Sequence, residues 1–465
     1  MDSITYAVNG GLTGKQAGSL HAAALRVIEE AGVRVTHPAL RRAAGAARGA
    51  RITDDRVHLP AALVDEHVRE YRLRRAATAT PPEAWRIEVL TGFAFQYLDP
   101  RSGALRLMDT AACIETAKLV DALHAQGVRG GTPGLPQDVP PQLREILAFK
   151  IGCQHSRTAM HVGVSSAQSA KYVYEMGRAA GMPFHFPVFC LSPLRVEGET
   201  IDLAIDLLEQ GLDVHLDLQS MPLQGVTTPI NLPAAFVECI ATVLAAYTLL
   251  RLAGIRQDFP LAFEVYPFDL RRGTIAYGTP EHILMSLLSG QINRFYGNAH
   301  DRCKAFHTNA LVPDAHSCTQ RAAFAAVAAL DGARTFQFGG MLGIDKIFSP
   351  EQLVYDIETV RYVRHLVKGC TLPAEDEIVS LLRDTALAGE FMTHDTTLAH
   401  CRELWTSDVF TNDSPEQREA RHGTTVHDRA LAFLDTLPGI DAFELDQDVS
   451  AELDRIYARA VRELG

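Results

Sequence analysis

The sequence predicts an α/β protein whose central unit is a (β/α)8 TIM barrel with an N-terminal helical extension and C-terminal helices. Two observations lead to this prediction. Short runs of β-branched and aromatic residues alternate with longer helical segments, which is the pattern of βα units. No GxGxxG or GxxxxGK phosphate-binding motif follows a predicted strand, so the sequence gives no support for a nucleotide-binding open sheet.

The chain is long for a single hydrophobic core. Its 465 residues are 47% hydrophobic and 22% charged, an ordinary globular composition with enough apolar surface for a large core. We therefore predict three parts. An N-terminal helical subdomain spans residues 1–90, a TIM-barrel catalytic domain spans residues 91–385, and a C-terminal helical segment that packs on the barrel spans residues 386–465.

The N-terminal part begins with an amphipathic helix. Apolar residues recur at helical spacing over residues 14–32, and Gly32 suits the end of a helix. The extended residues 57–59 then lead to Pro60, which favours the start of a second helix.

Seven segments are predicted as strands of the barrel, one fewer than the eight it requires. They are residues 128–131, 159–164, 187–191, 214–219, 262–267, 293–296 and 335–338. Helices are predicted between them over residues 140–155, 169–181, 199–211, 231–254 and 280–292, several of them followed by a capping glycine. Residues 427–441 and 449–464 are predicted as helices outside the barrel.

The charge balance limits the partners of the protein. The formal net charge of -12 argues against binding to nucleic acid or to an anionic membrane surface. Neither an N-terminal signal segment nor an apolar stretch of bilayer length is expected, so the protein is predicted to be cytoplasmic. The eight cysteines include no CxxC pair and are predicted to be reduced, mostly buried thiols.

In a TIM barrel the reactive side chains lie at the carboxyl ends of the strands and in the loops that follow. Polar side chains are dense at these predicted positions. They are Gln137, Asp138, His161, His215, Asp217, Gln219, Glu264, Tyr266, Asp269, His307, Asn309, Asp314, His316 and Gln337. Each could instead be hydrogen-bonded inside the barrel, but together they predict a polar site at its mouth.

Three aromatic residues recur at every second position of an extended segment. Phe93, Phe95 and Tyr97 would share one face, which is typical of a hydrophobic strand face or of part of an aromatic cage. Ring faces attract a quaternary ammonium ion with up to about 2 kcal/mol each in a dry site. Tyr266 and Phe338 could complete such a cage.

The segment around Cys303 raises a zinc alternative. The candidate ligands are His300, Cys303, His307, His316 and Cys318, but their spacing is irregular and contains neither CxxC nor HxxxH. We therefore predict no metal site. The absence of a GxSxG motif also gives no support for a serine hydrolase.

A series of short motifs, taken in order, resembles one known family. The motifs are HAAALRVIEEAGVRV, LDPRSG, KLVDAL, QDVPPQLRE, SMPLQGVTTPINL, FDLRRG, GTPE, PDAHS, SPEQLVYDIE and EFMTHDTTLAHCR. The chain is similar, nearly end to end, to the trimethylamine methyltransferase superfamily in its branch without pyrrolysine, which includes glycine betaine:corrinoid methyltransferases.

The resemblance implies a TIM-barrel methyltransferase that demethylates a small, betaine-like quaternary amine. The methyl group would pass to the cobalt of a corrinoid (cobalamin) on a small partner protein docked over the barrel mouth. The departing amine is already neutral, so no catalytic acid is assigned, and a homo-oligomer is left open. The residues expected to bind substrate are Phe93, Phe95, Tyr97, His215, Gln219, Glu264, Tyr266, His307, His316, Gln337 and Phe338.

Two departures from the family pattern predict a remodelled substrate pocket. Thr242 stands where the family has Glu in a helix, and residues 307–321 differ from the usual segment. A cationic substrate without the carboxylate of betaine, or a longer substrate, fits this change. Two other readings stay open: a methyltransferase with tetrahydrofolate as its methyl acceptor and no corrinoid, and a non-catalytic binding protein for quaternary amines.

Overall fold

A computed structural model describes residues 2–77, 84–159, 162–182, 184–298, 303–386, 390–437 and 443–465. Its N-terminal part contains α1 (Gly14–Glu30), α2 (Pro38–Ala46) and α3 (Ala61–Ala77). Thr13 and Gln16 form the capping box that starts α1. Both helices predicted here from the sequence are confirmed.

A small sheet accompanies these N-terminal helices. Strand Arg56–His58 pairs antiparallel with Val33–Val35 and with Arg51–Thr53. Strand Arg195–Val196 from the central unit joins Val33–Val35 in parallel. The N-terminal part is thus mixed α/β and is attached to the central unit through backbone pairing.

Seven parallel strands form the central unit. They are β1 (Arg86–Val89), β2 (Val128–Gly130), β3 (Phe184–Cys190), β4 (Val214–Ser220), β5 (Leu261–Phe263), β6 (Cys303–Ala305) and β7 (Thr335–Gln337). One sheet has the strand order β6-β7-β1-β2, and the other has the order β3-β4-β5. The last strand, β7, therefore pairs directly with the first, β1.

Eight helices accompany these strands. They are α4 (Thr110–Ala122), α5 (Pro141–His155), α6 (Ala167–Ala179), α7 (Glu199–Glu209), α8 (Leu232–Leu252), α9 (Pro280–Phe295), α10 (Ala315–Leu330) and α11 (Pro350–Lys368). Apolar residues of the four-stranded sheet pack with α4, α10 and α11 in one core. Those of the three-stranded sheet pack with α7 and α8 in another. Each sheet therefore has one face toward helices and one inner face turned away from them.

The C-terminal helices lie outside the sheets, as the sequence predicts. They are α12 (Glu375–Ala386), α13 (Asp395–His400), α14 (Pro415–Ala420), α15 (Val426–Asp435) and α16 (Gln447–Leu464). Helix α15 packs on α11, and α16 packs on α5 and α6.

Two strand predictions differ from the structure. Residues 293–296 are the C-terminal end of α9 and its cap, and β6 follows them at Cys303–Ala305. Ile292 and Tyr296 are both buried, at the i, i+4 spacing of a helix face, and so short an apolar run does not distinguish helix from strand. Strand β1 was not predicted, because it has only four residues, two of them apolar, which is too short a run for the alternation to be recognised.

Helix α8 overturns the expectation that no segment is long and apolar enough to span a bilayer. Its 21 residues pass that test by length and composition, but 78% of the most apolar window is buried inside the protein. Helices α1, α2 and α3 pack on it from one side and the three-stranded sheet from the other. Its apolar character is therefore explained by a central position in the core, and the cytoplasmic location stays a prediction.

A further small sheet connects the loops that follow β1 and β7. Strand Gln96–Leu98 pairs with Leu105–Leu107 and, in parallel, with Ile347–Phe348. Strand Met341–Leu342 completes this sheet. These pairings hold the two loops together at the carboxyl ends of β1 and β7.

Candidate functional site

Four aromatic rings meet where the loops after β5, β6 and β7 converge. The centroid of the His307 ring is 4.1 Å from that of Tyr277, nearly parallel to it, and 4.4 Å from that of Phe338. Tyr266 lies 6.2 Å from His307 and edge-on to it. We call these four residues the ring cluster. Three of them, Tyr266, His307 and Phe338, are among the predicted binding residues.

Two carboxylates adjoin the ring cluster. The Tyr266 hydroxyl donates to Oε2 of Glu264 at 2.5 Å, and Nδ1 of His307 lies 2.8 Å from Oδ2 of Asp345. Burial, together with the nearby Glu264 charge, raises the pKa of Tyr266 well above its usual value, so its hydroxyl remains a donor. The His307 and Asp345 side chains are 5% and 10% exposed. Both acids therefore place negative charge beside the rings.

The loop that carries Phe338 has unusual backbone geometry. Phe338, Ile344 and Asp345 have φ values of 62°, 58° and 61°, in the left-handed region that non-glycine residues rarely adopt. Such conformations cost of order 1–3 kcal/mol each and occur often at functional sites.

A buried ion pair lies behind this loop. Arg321 on α10 donates to Asp356 on α11 at 2.7 Å and to the Phe338 carbonyl at 3.4 Å. Asp356 also accepts from the Gly340 backbone N–H at 2.7 Å. Because Arg321 and Asp356 are almost fully buried, they fix the strained loop from the core side.

A second histidine beside the ring cluster is held neutral. Burial and the neighbouring His307 lower the pKa of His282 to about 3, and its Nδ1 accepts from the Gly278 N–H at 3.2 Å. No sequence pattern singles out His282, Tyr277 or Asp345. The GTPE motif, residues 278–281, lies between Tyr277 and His282 and was the one signal near them.

The inner face of the four-stranded sheet carries polar side chains. Gln337 on β7 donates to Oε2 of Glu88 on β1 at 3.0 Å. Arg129 on β2 is the Cα partner of Glu88, so it points to the same face. Within the described ranges, the half-buried Arg129 guanidinium has no hydrogen-bonding or ionic partner. Gln219 lies on the inner face of the other sheet, beside Ala262 of β5.

The predicted face of Phe93, Phe95 and Tyr97 is not formed. Phe93 packs edge-on to Phe338 with centroids 5.0 Å apart, and Phe95 is exposed. Tyr97 is 2% exposed, and its hydroxyl donates at 3.0 Å to Glu115 on α4. The alternation fails because regular strand structure begins only at Gln96, after the bend that carries Phe93 and Phe95.

Two predicted histidines lie away from the ring cluster. His215 is the second residue of β4, at the amino end of the strand, where its ring stacks on His185 with centroids 5.2 Å apart. His316 is exposed in the first turn of α10. His215 therefore lies at the opposite end of its strand from the predicted site, and the contacts of the ring cluster do not include His316. His161 and His300 are outside the described residues.

The departure at Thr242 has a structural counterpart one helical turn earlier. The Thr242 hydroxyl donates to Glu238 at 2.8 Å, and Glu238 also accepts from the Leu194 backbone N–H at 2.9 Å. Burial raises the pKa of Glu238. Helix α8 therefore has an acidic residue at position 238 instead of 242. Its hydrogen bond to Leu194 holds the loop after β3.

No group of three or more His, Cys, Asp or Glu side chains in the described part of the chain could hold a metal ion. Exposed apolar side chains lie in the loops that follow the strands at their carboxyl ends, and one of them, Phe93, contacts the ring cluster. We call them the mouth rim: Phe93, Phe95, Leu191, Met221, Val226, Ile230, Leu270, Leu311 and Val312.

Comparisons with known proteins agree on one family. The family model described as trimethylamine methyltransferase (MTTB) matches residues 10–465. The glycine betaine methyltransferase of Desulfitobacterium hafniense (strain Y51) is 23% identical over 98% of both chains. The trimethylamine methyltransferase MttB of D. hafniense (strain DSM 10664 / DCB-2) is also 23% identical, over 58% of this chain and 56% of that protein. The chain thus spans about half the length of the latter relative.

Among solved structures, the monomethylamine methyltransferase MtmB of Methanosarcina barkeri aligns with a TM-score of 0.37. The sequence identity is 10%, and the alignment covers 91% of this chain and 92% of that chain. This likeness is too low to decide the fold.

Proposed function

Because the chain belongs to the trimethylamine methyltransferase family, we propose that it removes a methyl group from a small quaternary amine and passes it to a corrinoid on a separate small protein. The ring cluster with its two carboxylates carries this proposal. Aromatic faces attract a quaternary ammonium ion without desolvating a hydrogen-bond donor, and Glu264 and Asp345 add negative charge.

The fold proposed for this activity is a (β/α)8 barrel in which the two parallel sheets are two arcs. The pairing of β7 with β1 supports closure at one junction. A parallel bridge joins Val162, in the predicted strand at residues 159–164, to Thr91 just after β1. This segment, of which 160 and 161 lie outside the described residues, is the candidate for the eighth strand. On this proposal the barrel begins at β1, slightly before the predicted boundary at residue 90.

The residues of the mouth position the substrate rather than exchange protons with it. The cobalt of the corrinoid supplies the nucleophile that accepts the methyl group. Tyr266 and Phe338 would contact the ammonium methyl groups, while the Asp345 carboxylate, 2.8 Å from Nδ1 of His307, would orient the His307 ring. The amine leaves in its neutral form, so the chemistry requires no general acid, and no proton transfer is assigned to His307.

The mouth rim supports a corrinoid protein as the partner. Exposed apolar side chains grouped around a site mark a surface that another molecule covers, and covering it would exclude water from the ring cluster. The comparisons give no support for tetrahydrofolate as the methyl acceptor. A non-catalytic binding protein remains the competing function, and the test below separates the two.

Arg129 is proposed to bind the other end of the substrate. It lies on the inner face beside Glu88 and has no partner among the described residues. A guanidinium at this position suits a carboxylate, which would favour a betaine over an amine alcohol. This differs from the sequence-based expectation of a substrate without a carboxylate.

The test is a substrate panel incubated with the enzyme and cob(I)alamin. Loss of cob(I)alamin absorbance is expected with one or more of glycine betaine, proline betaine, carnitine and choline, and none with trimethylamine. Turnover of trimethylamine alone would contradict the proposal. Calorimetric binding of a quaternary amine without any turnover would favour the binding protein.

The Arg129→Gln variant tests binding of the substrate carboxylate separately from binding of the ammonium group. It should weaken betaine turnover by about tenfold or more and leave choline within about twofold, because only betaine carries the carboxylate. Arg129→Lys is the matched control and should retain part of the preference. An equal loss on both substrates would contradict the role of Arg129.

A further inference from the structure

A long C-terminal segment of the described chain buries none of its side chains. We call residues 369–408 the arm; it contains α12 and α13, and no residue described in it is buried. Its exposed large apolar side chains are Leu372, Val379, Leu382, Phe391, Met392, Leu398 and Leu404. A helix as short as α12 is marginal in water unless its apolar face packs on something.

The arm is attached to the protein at both ends. Cys370–Leu372 pairs antiparallel with strand Asp2–Ile4, and Trp405 packs edge-on to Tyr362 of α11 with centroids 5.2 Å apart. The middle of the arm, including α12, lies between these attachments. The exposed apolar face of α12 is therefore held at a defined place on the surface.

A basic groove runs along the C-terminal half of α11, next to the arm. Arg361, Arg364, His365 and Lys368 recur at the spacing of one helix face and line a cavity of about 590 Å³. Trp85, Arg334 and Trp405 complete its walls, and no residue of α12 lines it. This concentration of positive charge stands out in a chain with a net charge of -12.

Some of the basic groups already have partners in the chain. Arg361 pairs with Glu358, and Arg334 lies over the Trp85 ring. Glu403 of the arm lies close enough to Lys368 for their charges to interact. Arg364 has no ionic partner among the described residues. Two exposed apolar residues of α11, Tyr362 and Leu366, lie on the same stretch of helix.

The first turn of α12 has the opposite charge. It contains Glu375, Asp376 and Glu377, all exposed, and none of them pairs with a basic side chain in the described part of the chain. Acidic residues in a first turn also favour the helix dipole, which explains their presence but not the uncovered apolar residues behind them.

We propose that a second copy of this chain covers both surfaces. The α12 of each protomer lies against the α11 groove of the other, so that its acidic turn meets the basic stripe and Val379 and Leu382 meet Tyr362 and Leu366. Such a contact is self-complementary and closes with two-fold symmetry. A specific interface buries roughly 800 Å² per partner, and the two reciprocal contacts would share this area. This inference does not depend on the proposed function.

The test uses two charge-reversal variants of the full chain. The acid variant is Glu375→Lys with Asp376→Lys, and the base variant is Arg364→Glu with Lys368→Glu. Arg361 and Glu377 are left unchanged, because Arg361 pairs with Glu358 and Glu377 accepts from the Ala374 backbone N–H. The matched control is Asp206→Lys with Glu209→Lys, two exposed acids on α7.

Sedimentation velocity should give a dimer for the parent and the control. Each variant alone should dissociate about a hundredfold more readily, because like charges then face each other across both contacts. An equimolar mixture should recover the dimer. The lysine turn of the acid variant meets the glutamate stripe of the base variant at one contact, and the unchanged acidic turn meets the unchanged basic stripe at the other. Thermal melts confirm that each variant is folded.

Three results would overturn the proposal. They are a parent that stays monomeric at all concentrations, a dimer that survives in either variant alone, and a mixture that does not recover the dimer although both variants are folded.

Discussion

The two parallel sheets differ in how firmly the polar side chains of their inner faces are fixed. The four-stranded sheet links Gln337 to Glu88 at 3.0 Å, and the loop after β7 is held by the buried Arg321–Asp356 pair. On the three-stranded sheet, His185 and Asp217 are each 39% exposed, with their nearest charged atoms 3.9 Å apart. The loop after β3 is also held, by the buried Glu238, so the contrast concerns the polar side chains of the two inner faces: one has a direct hydrogen bond between strands, and the other has a longer, half-exposed pair.

This difference indicates which of the two sheets can support a preorganised site. Ligand groups must be held to within a fraction of an ångström to contribute to binding or rate, which requires buried supports behind them. The four-stranded sheet has such supports, and the ring cluster lies at its junction with β5. The predictions below test this contrast, and Asp217→Asn serves as the reference substitution on the other sheet.

The largest expected effect is on stability. Arg321→Met leaves the Asp356 carboxylate buried without its partner and should lower the free energy of unfolding by about 3–5 kcal/mol. Arg321→Met combined with Asp356→Leu should recover part of this loss. Asp217→Asn should change it by less than about 0.5 kcal/mol. Urea unfolding measures all three, and a cost for Arg321→Met below about 1 kcal/mol would argue against a locked loop.

The next effect is on turnover. Asp345→Asn removes the charge that holds His307 and should lower kcat/KM for the quaternary amine by about 100-fold, because a misplaced ring contacts the substrate poorly. Asp217→Asn should stay within about threefold of the parent. Equal losses in the two variants would mean that the two sheets contribute alike, and the contrast would fail.

The aromatic contribution is smaller. Phe338→Leu keeps an apolar side chain but removes the ring face, and should weaken binding of a quaternary amine by about tenfold, within the range of one cation–π contact. Tyr97→Phe is the matched control, because Tyr97 faces Glu115 on α4 rather than the ring cluster. Isothermal titration measures the affinity of both variants. An unchanged affinity in Phe338→Leu would show that the ring of Phe338 does not contact the ammonium ion.

The smallest effect concerns pH. The pKa of His282 is lowered to about 3 in the folded protein, whereas an unfolded histidine titrates near 6.5. The unfolded state therefore binds more protons between these values, so this stabilisation is complete above pH 6.5 and is lost as the pH falls below it, by at most about 1.4 kcal/mol per pH unit. His282→Gln should flatten the dependence of the unfolding free energy between pH 6.5 and 5. A slope identical to that of the parent would show that His282 is not held neutral.

Part of this architecture follows from the sequence alone. Short apolar runs and glycine stops located β2, β3, β4, β5 and β7 and the helices α5 to α9, whereas α10 was not predicted. The predicted strand ends selected Tyr266 and Phe338, whereas His307 was selected within the polar segment at residues 307–318, because β6 was not predicted. Periodicity failed where runs were short, at β1 and at residues 293–296.

Only the tertiary structure decided which of these side chains meet. Asp345 and Tyr277 lie in loops without a periodic pattern and join His307 only because β5, β6 and β7 end side by side. His215 and Tyr97 are of residue types that suit the predicted site. His215 lies at the amino end of β4, however, and Tyr97 faces Glu115 on α4 rather than the ring cluster. Local sequence determines period and strand direction, whereas contacts between distant loops depend on how the sheets pack, which no single segment encodes.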